Sequence, residues 1–176
     1  MIFTETKLKG AFVIEPERQE DSRGFFARTW CQKEFKEHGL NQSVVQCSIS
    51  LSRKKGTIRG MHYQAKPFEE EKLVRCTKGT IYDVIIDLRP ESQTFTQYVG
   101  VILSATNRKM IFVPKGFAHG FQTMEDNTEV FYQITCEYMP EYVRGVRWND
   151  PAFAIEWPIK KPIILARDDS YPDFKL

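Results

Sequence analysis

The chain has few features that would place it in a membrane, outside the cell or on a nucleic acid. No stretch of its 176 residues approaches the roughly 18 consecutive apolar residues that a membrane helix needs. The first ten residues include Glu5, Lys7 and Lys9 and lack the apolar centre of a signal peptide. The formal net charge is only +2, so there is no broad electrostatic reason to bind nucleic acid. These absences predict a cytoplasmic protein with neither nucleic-acid nor membrane partners.

Cysteine is also scarce, and its spacing argues against a disulfide framework or a zinc site. The four cysteines lie far apart without a CxxC pair: Cys31, Cys47, Cys76 and Cys136. Structural zinc sites usually need closely spaced ligands. We therefore expect a reducing compartment and free, buried thiols.

No internal repeat, low-complexity tract or Pro/Gly-rich linker divides the chain, so we predict a single domain. Most of it reads as short strands, such as Thr80–Leu88, Tyr98–Leu103, Met110–Val113 and Glu129–Thr135, which are rich in β-branched and aromatic residues. The best helix candidate is 32–38, closed by a glycine. Strands at this spacing favour an all-β sandwich or barrel over a parallel α/β sheet.

Only three histidines are available for chemistry: His38, His62 and His119. His38 falls in the polar helix candidate and is expected at the surface. The sequence from Pro114 to His119 follows the pattern Pro-x-Gly-x-x-His, which resembles the second motif of the cupin superfamily. The first cupin metal motif needs two histidines one residue apart, whereas His62 stands alone. Two histidines without a clear carboxylate partner make a poor divalent-metal site, so no metal is predicted.

Seven segments, in order along the chain, carry a more specific resemblance. They are DSRGFF (21–26), IRGMHYQ (58–64), KLVR (72–75), DVIIDLR (83–89), GFAHGF (116–121), WNDP (148–151) and WP (157–158). In order and spacing they resemble the dTDP-4-dehydrorhamnose 3,5-epimerase family over nearly the whole chain.

That resemblance implies a cupin-like double-stranded β-helix, or jelly-roll barrel, with a few short helices. It implies a barrel core at about 20–145, a C-terminal wrap over 146–176, a homodimer, and no metal or other cofactor. The substrate would be a nucleotide-diphospho-4-keto-6-deoxysugar.

Epimerisation next to a ketone needs a base on one face of the sugar, an acid on the other, and a donor at the developing oxyanion. An imidazole such as that of His62 suits the base. The resemblance implies Tyr132 as the opposite-face acid and Lys72 as the cation beside the ketone oxygen. It also implies Asp168 as the carboxylate that orients His62, although the adjacent Asp169 is an alternative. Taken alone, Tyr132 would read as a core aromatic and Lys72 as a solvated lysine at a strand edge.

The expected substrate-binding residues are Arg23, Phe26, Arg28, Gln46, Ser48, Arg59, His119 and Tyr138. Guanidinium groups bind phosphate oxygens in pairs, so Arg59 and Arg23 are the candidates for the diphosphate. The resemblance places Arg23 at the neighbouring subunit's site, and places His119 and Tyr138 around the sugar. Gln46 and Ser48 fall where family members contact the base or ribose, and Phe26 is suited to stack on the base.

Two departures from the family pattern lie on the nucleotide side. Arg28 stands where many members carry glutamate, and Cys47-Ser48 stands where they carry Asp-Asn. A CDP-linked or other nucleotide sugar therefore remains an alternative, as does inversion at C3 or C5 only. Two further alternatives are a metal-dependent cupin enzyme with His62 and His119 as ligands, and a sugar-binding barrel without turnover.

Overall fold

The computed structural model describes residues 1–175. The strands are β1 (Ile2–Glu5), β2 (Phe12–Glu15), β3 (Arg18–Asp21), β4 (Gly24–Ala27), β5 (Gln46–Ser52), β6 (Ile58–Gln64), β7 (Lys72–Lys78), β8 (Thr80–Asp87), β9 (Tyr98–Ser104), β10 (Met110–Val113), β11 (Phe117–Thr123), β12 (Thr128–Ile134) and β13 (Val143–Gly145). The helices are α1 (Gln32–Glu37) and α2 (Ala166–Asp169), with a 3-10 turn at Pro140–Tyr142.

Two antiparallel sheets make up most of the molecule. The six-stranded sheet has the order β1-β2-β10-β7-β12-β5, and the five-stranded sheet has the order β13-β6-β11-β8-β9. Strands β3 and β4 form a separate hairpin. Successive strands from β5 to β12 divide between the two sheets, as in a jelly roll, and the prediction of an all-β barrel with few short helices is confirmed. Because β1 and β2 belong to the larger sheet, the barrel begins well before the predicted start near residue 20.

Alternation along β8 shows how this strand of the five-stranded sheet is buried on both faces. Ile81 and Ile85 point between the sheets into the main core, while Val84 and Ile86 point outward. The outward face is not solvated, because Trp157 and other residues of the C-terminal segment pack against it. The segment after 146 therefore covers the outside of the five-stranded sheet.

The local predictions differ from the structure in small ways. The helix ends at Glu37, with His38 as an exposed cap residue and Gly39 at φ +70°. The expectation that the free thiols are buried holds for Cys76 but is wrong for Cys47, which is exposed on the edge strand β5. No helix within residues 1–175 is long and apolar enough to cross a membrane.

One fully buried carboxylate, that of Asp87, stabilises the turn after β8. It accepts hydrogen bonds from Arg89 Nε at 2.8 Å, Ser92 Oγ at 2.6 Å and Thr94 Oγ1 at 2.7 Å. Burial alone would raise the pKa of Asp87, but these hydrogen bonds outweigh it and lower the pKa to about 2.

We expect this network to make stability fall in acid. The pKa of Asp87 is lower in the folded chain than in the unfolded one, so its contribution is complete above the unfolded value and disappears as the pH falls through about 2. The contribution is about 2 kcal/mol. Urea unfolding of the wild type and of Asp87→Asn at pH 7 and pH 3 measures it. The variant should be less stable at pH 7, and the difference should shrink at pH 3. An equal difference at both pH values would contradict the assignment.

Candidate active site

A cavity of about 790 Å³ opens at one end of the barrel and gathers most of the predicted functional residues. Its walls include Gln46, Ser48, Arg59, His62, Lys72, His119, Tyr132, Tyr138 and Asp168. Three predicted binding residues lie outside it: Arg23, Phe26 and Arg28. The base, acid and lysine candidates therefore share one cavity.

A bulge in β6 places both Arg59 and His62 on the cavity side. His62 pairs with His119 of β11, and Arg59 pairs with Phe121, so three steps along β6 match two along β11. The extra residue reverses the alternation that would otherwise send the two side chains to opposite faces. Gly60 lies at φ +126°, and a Cβ there would come within 2.5 Å of Gly120 Cα. Only glycine fits at this bend.

The imidazole of His62 is held by a carboxylate from the C-terminal segment. Its Nε2 lies 2.8 Å from Asp168 Oδ1, and α2 supplies that carboxylate. Asp169 instead accepts a hydrogen bond from the indole of Trp148 at 2.8 Å, so Asp168 is the residue that contacts His62. Burial would raise the pKa of Asp168, but His62 and the neighbouring Arg167 lower it, so the carboxylate stays ionised.

Tyr132 faces His62 across the barrel, because it projects from β12 of the other sheet. Its hydroxyl lies 3.1 Å from Ser50 Oγ. Burial raises the pKa of Tyr132 far above its ordinary value, despite the opposing effect of the Ser50 hydrogen bond. The phenol is therefore protonated at neutral pH and is able to donate.

A second histidine–carboxylate pair joins His119 of the cavity wall to a buried aspartate, and it was not predicted as a pair. His119 Nε2 lies 2.9 Å from Asp83 Oδ2, and Asp83 is completely buried. Burial raises the pKa of Asp83, although His119 and Lys72 act in the opposite direction. The signal was present in the sequence, since Asp83 interrupts an apolar strand at an inward-facing position. The ring of His119 also packs edge-on against Tyr132, with 6.3 Å between centroids.

Lys72 is not the solvated lysine that its sequence neighbours suggest. Its side chain is only 13% exposed, and Nζ lies 2.8 Å from Glu70 Oε1. The Glu70 side chain is 11% exposed and also lines the cavity. Glu70 was not predicted as a site residue.

Arg59, in contrast, has only neutral partners within residues 1–175. Its Nε donates to Ser52 Oγ at 3.0 Å, and one terminal nitrogen donates to the carbonyl of Leu51 at 3.2 Å. No acidic partner among these residues neutralises the guanidinium, so its positive charge is available to bind an anion.

The three residues outside the cavity lie on or near the β3–β4 hairpin. Arg23, at its tip, has an 87% exposed side chain and pairs only with the nearby Asp21. Phe26 is 69% exposed. Arg28 pairs with Glu34 of α1 at 3.0 Å and points away from the cavity of its own chain. Phe26 and Arg28 instead line a separate, smaller cavity together with Glu34.

Within the described part of the chain, no three His, Cys, Asp or Glu side chains are grouped to hold a metal ion. Each cavity histidine has a carboxylate within hydrogen-bond distance of Nε2: Asp168 for His62 and Asp83 for His119.

Comparisons with known proteins identify the family of this chain. The family model described as dTDP-4-dehydrorhamnose 3,5-epimerase matches residues 5–175. A curated protein of that name from Escherichia coli K12 is 42% identical, covering 93% of this chain and 89% of its own.

Two solved structures show the same fold. An epimerase of that name from Bacillus anthracis, with TDP and PPi bound, is 42% identical over 98% of this chain and 99% of its own, with a TM-score of 0.95. A 3'-monoepimerase from Streptomyces bikiniensis, in complex with dTDP-quinovose, is 27% identical over 96% of this chain and 85% of its own, with a TM-score of 0.88. With its cupin-like barrel and its epimerase relatives, the chain belongs to the dTDP-4-dehydrorhamnose 3,5-epimerase family.

Proposed function

We propose that the enzyme inverts C3 and C5 of a nucleotide-linked 4-keto-6-deoxyhexose, converting dTDP-4-dehydro-6-deoxyglucose into dTDP-4-dehydrorhamnose. One observation carries the proposal. His62 and Tyr132 project from facing sheets into one cavity, and the Lys72 side chain lines the same cavity. A sugar ring between the sheets would have a base on one face and an acid on the other.

The chemistry uses these side chains alone. Because the ionised Asp168 carboxylate can only accept, His62 would donate Nε2–H to it, and Nδ1 would take the proton next to the ketone. Loss of that proton places negative charge on the ketone oxygen, where the ammonium of Lys72 stabilises it. Tyr132 then returns a proton to the opposite face of the carbon. No step needs a metal or other cofactor.

The nucleotide would lie at the end of the cavity formed by Arg59, Gln46 and Ser48. Arg59 is the cation available for the diphosphate, and TDP bound to the Bacillus anthracis relative supports a thymidine nucleotide. Ser48 points into the cavity from β5, whereas Cys47 points the other way, so only Ser48 of this departure reaches the ligand. His119 and Tyr138 would line the sugar.

A proton-exchange screen in heavy water tests this proposal. Purified enzyme is incubated with dTDP-, CDP-, UDP- and GDP-linked 4-keto-6-deoxyhexoses, and deuterium at C3 and C5 is followed by NMR. We expect uptake at both carbons with the dTDP sugar. Uptake at C3 alone would favour the activity of the Streptomyces bikiniensis relative, which is a 3'-monoepimerase. Faster exchange with the CDP sugar would move the proposal to that nucleotide.

Two other outcomes would overturn the chemistry. Tight binding without exchange would indicate a sugar-binding barrel. Stoichiometric iron, nickel or zinc in the active protein would indicate a metal-dependent cupin.

We further infer that two copies associate through the outer face of β5, β12 and β7. Ile49, Phe131 and Arg75 form one row across these strands. Ile49 is 66% exposed and Leu51, two residues along the same face, is 50% exposed. Arg75 packs over the Phe131 ring, and its buried Nε has no partner within residues 1–175. Because β5 is also an edge strand, a second copy would cover this apolar face. Such a homodimer would give Arg23 a route to the neighbouring site.

Mixed dimers test whether Arg23 acts across the interface. Arg23→Ala and His62→Asn should each be inactive or severely impaired alone. In a mixed dimer, the Arg23→Ala subunit keeps its own His62 and receives Arg23 from its partner. An equal mixture after random exchange should therefore regain about a quarter of the wild-type activity.

Wild-type protein mixed with His62→Asn serves as the matched control, and it should keep about half of the wild-type activity because half of all subunits carry His62. If Arg23 acts within its own subunit, the first mixture gains nothing over its parts. A monomeric mass in solution would also contradict the proposal.

A further inference from the structure

The cationic side chains of the cavity differ in whether a carboxylate is paired with them. Three cationic side chains line it: Arg59, Lys72 and Arg167. Arg167 Nε lies 3.1 Å from Asp168 Oδ1, and Lys72 Nζ lies 2.8 Å from Glu70 Oε1. Within residues 1–175, Arg59 has only a hydroxyl and a carbonyl as partners. A diphosphate entering the cavity therefore meets, among the residues described, one cation that has no carboxylate partner.

The Glu70–Lys72 pair is the more deeply placed of the two compensated pairs. Both side chains are nearly buried, at 11% and 13% exposure. The neighbouring residue, Glu71, has a different role, since its carboxylate accepts from Asn41 Nδ2 at 2.6 Å and its backbone N–H donates to Thr135 Oγ1 at 3.0 Å. Glu71 anchors the loop, and Glu70 is directed into the cavity.

We propose that Glu70 is a specificity-determining residue that keeps the diphosphate out of the sugar end of the cavity. The proposal rests on the proposed function, because it assigns the sugar to Lys72 and the diphosphate to Arg59. A free ammonium in a low-dielectric cavity attracts a multiply charged diphosphate at least as strongly as Arg59 does. The Glu70 carboxylate cancels that attraction and adds repulsion. The diphosphate is then directed to Arg59, and the sugar ring is left between His62 and Tyr132.

The pairing does not prevent Lys72 from acting on the ketone. An ammonium has three donors, of which Glu70 takes one. The remaining N–H groups can contact an uncharged carbonyl oxygen and the single charge that develops on it. The pair thus discriminates between an anion already present before reaction and one that forms only during it.

Calorimetry with inorganic pyrophosphate tests the proposal. The protein is first saturated with dTDP, which fills the Arg59 end, and pyrophosphate is then titrated into the wild type, Glu70→Gln and Glu71→Gln. Glutamine keeps an oxygen for Lys72 but removes the charge. We expect Glu70→Gln to bind pyrophosphate at least about tenfold more tightly than the wild type, and the Glu71→Gln control to match the wild type. Glu70→Ala should resemble Glu70→Gln, whereas Glu70→Asp, which keeps the charge, should resemble the wild type.

Kinetics provide a second readout that a purely structural role would not give. Non-productive binding in the reversed position lowers kcat and KM by the same factor and leaves kcat/KM unchanged. Glu70→Gln should show this pattern with the dTDP sugar. Equal pyrophosphate affinity in the wild type, Glu70→Gln and Glu70→Ala would overturn the role of Glu70. Failure of dTDP to bind at all would instead count against the proposed function.

Discussion

Deuterium exchange next to the ketone should fall by about 10³ when His62 is replaced by asparagine, because the base is removed. Asparagine can still donate a hydrogen bond toward Asp168, so the α2 segment should keep its position. The exchange rates at C3 and C5 are measured by NMR in heavy water with saturating substrate. Substrate affinity should change little, since the nucleotide contacts are elsewhere in the cavity.

His38→Asn is the matched control. His38 is exposed on the outside of the barrel, where its ring stacks on Phe3 at 3.9 Å, far from the cavity lining. This variant should exchange at the wild-type rate. Undiminished exchange in His62→Asn would remove His62 from its role as the base, and the proposed chemistry would fail with it.

Lys72→Met should lower kcat by about 10²–10³, the loss that accompanies removal of one oxyanion donor. Methionine approximates the length and volume of the lysine stem, so the cavity should keep its shape. The effect should appear in kcat more than in KM, because the charge on the ketone oxygen develops only in the transition state. Steady-state kinetics with the dTDP sugar, following product by NMR, measures both parameters.

Two further variants separate charge from folding in this test. Lys72→Met leaves the Glu70 carboxylate unpaired, so the double variant with Glu70→Gln removes that cost and should be more stable but equally slow. Lys109→Met removes a lysine from another Lys–Glu pair, with Glu15 at 3.0 Å, which lies outside the cavity. It should retain full activity. Recovery of activity in the double variant would show that the unpaired carboxylate, and not the loss of the ammonium, caused the defect.

The sequence was most informative where the structural signal is local. Alternating β-branched and aromatic residues predicted the position of Met110–Val113 and, within a residue at each end, those of Thr80–Leu88, Tyr98–Leu103 and Glu129–Thr135. The family resemblance implied roles for His62 and Lys72, which lie in its ordered motifs, and for Tyr132 and Asp168, which lie outside them. The structure brings these four side chains into one cavity.

The nucleotide-side predictions were harder, because they depend on which face of an element a residue occupies. Cys47 and Ser48 are adjacent in sequence, but β5 sends them to opposite faces. Arg28 was predicted to bind the substrate on its nucleotide side. In the structure it pairs with Glu34 and lies outside the cavity of its own chain. Its contact with a nucleotide remains a prediction that depends on a second subunit.

The amino-acid sequence by itself determined the all-β class and the family, because alternation and ordered motifs can be recognised along the chain. The reacting side chains are predictions from the family resemblance. The tertiary structure alone decided which groups meet. Asp168, and not Asp169, contacts His62, although the two residues are 106 positions apart in the sequence. The bulge in β6 directs the Arg59 side chain into the cavity. The tertiary structure also pairs the Lys72 ammonium with the Glu70 carboxylate, whereas Arg59 has no carboxylate partner within residues 1–175. These choices depend on sheet register and on packing between distant segments, which no local pattern specifies.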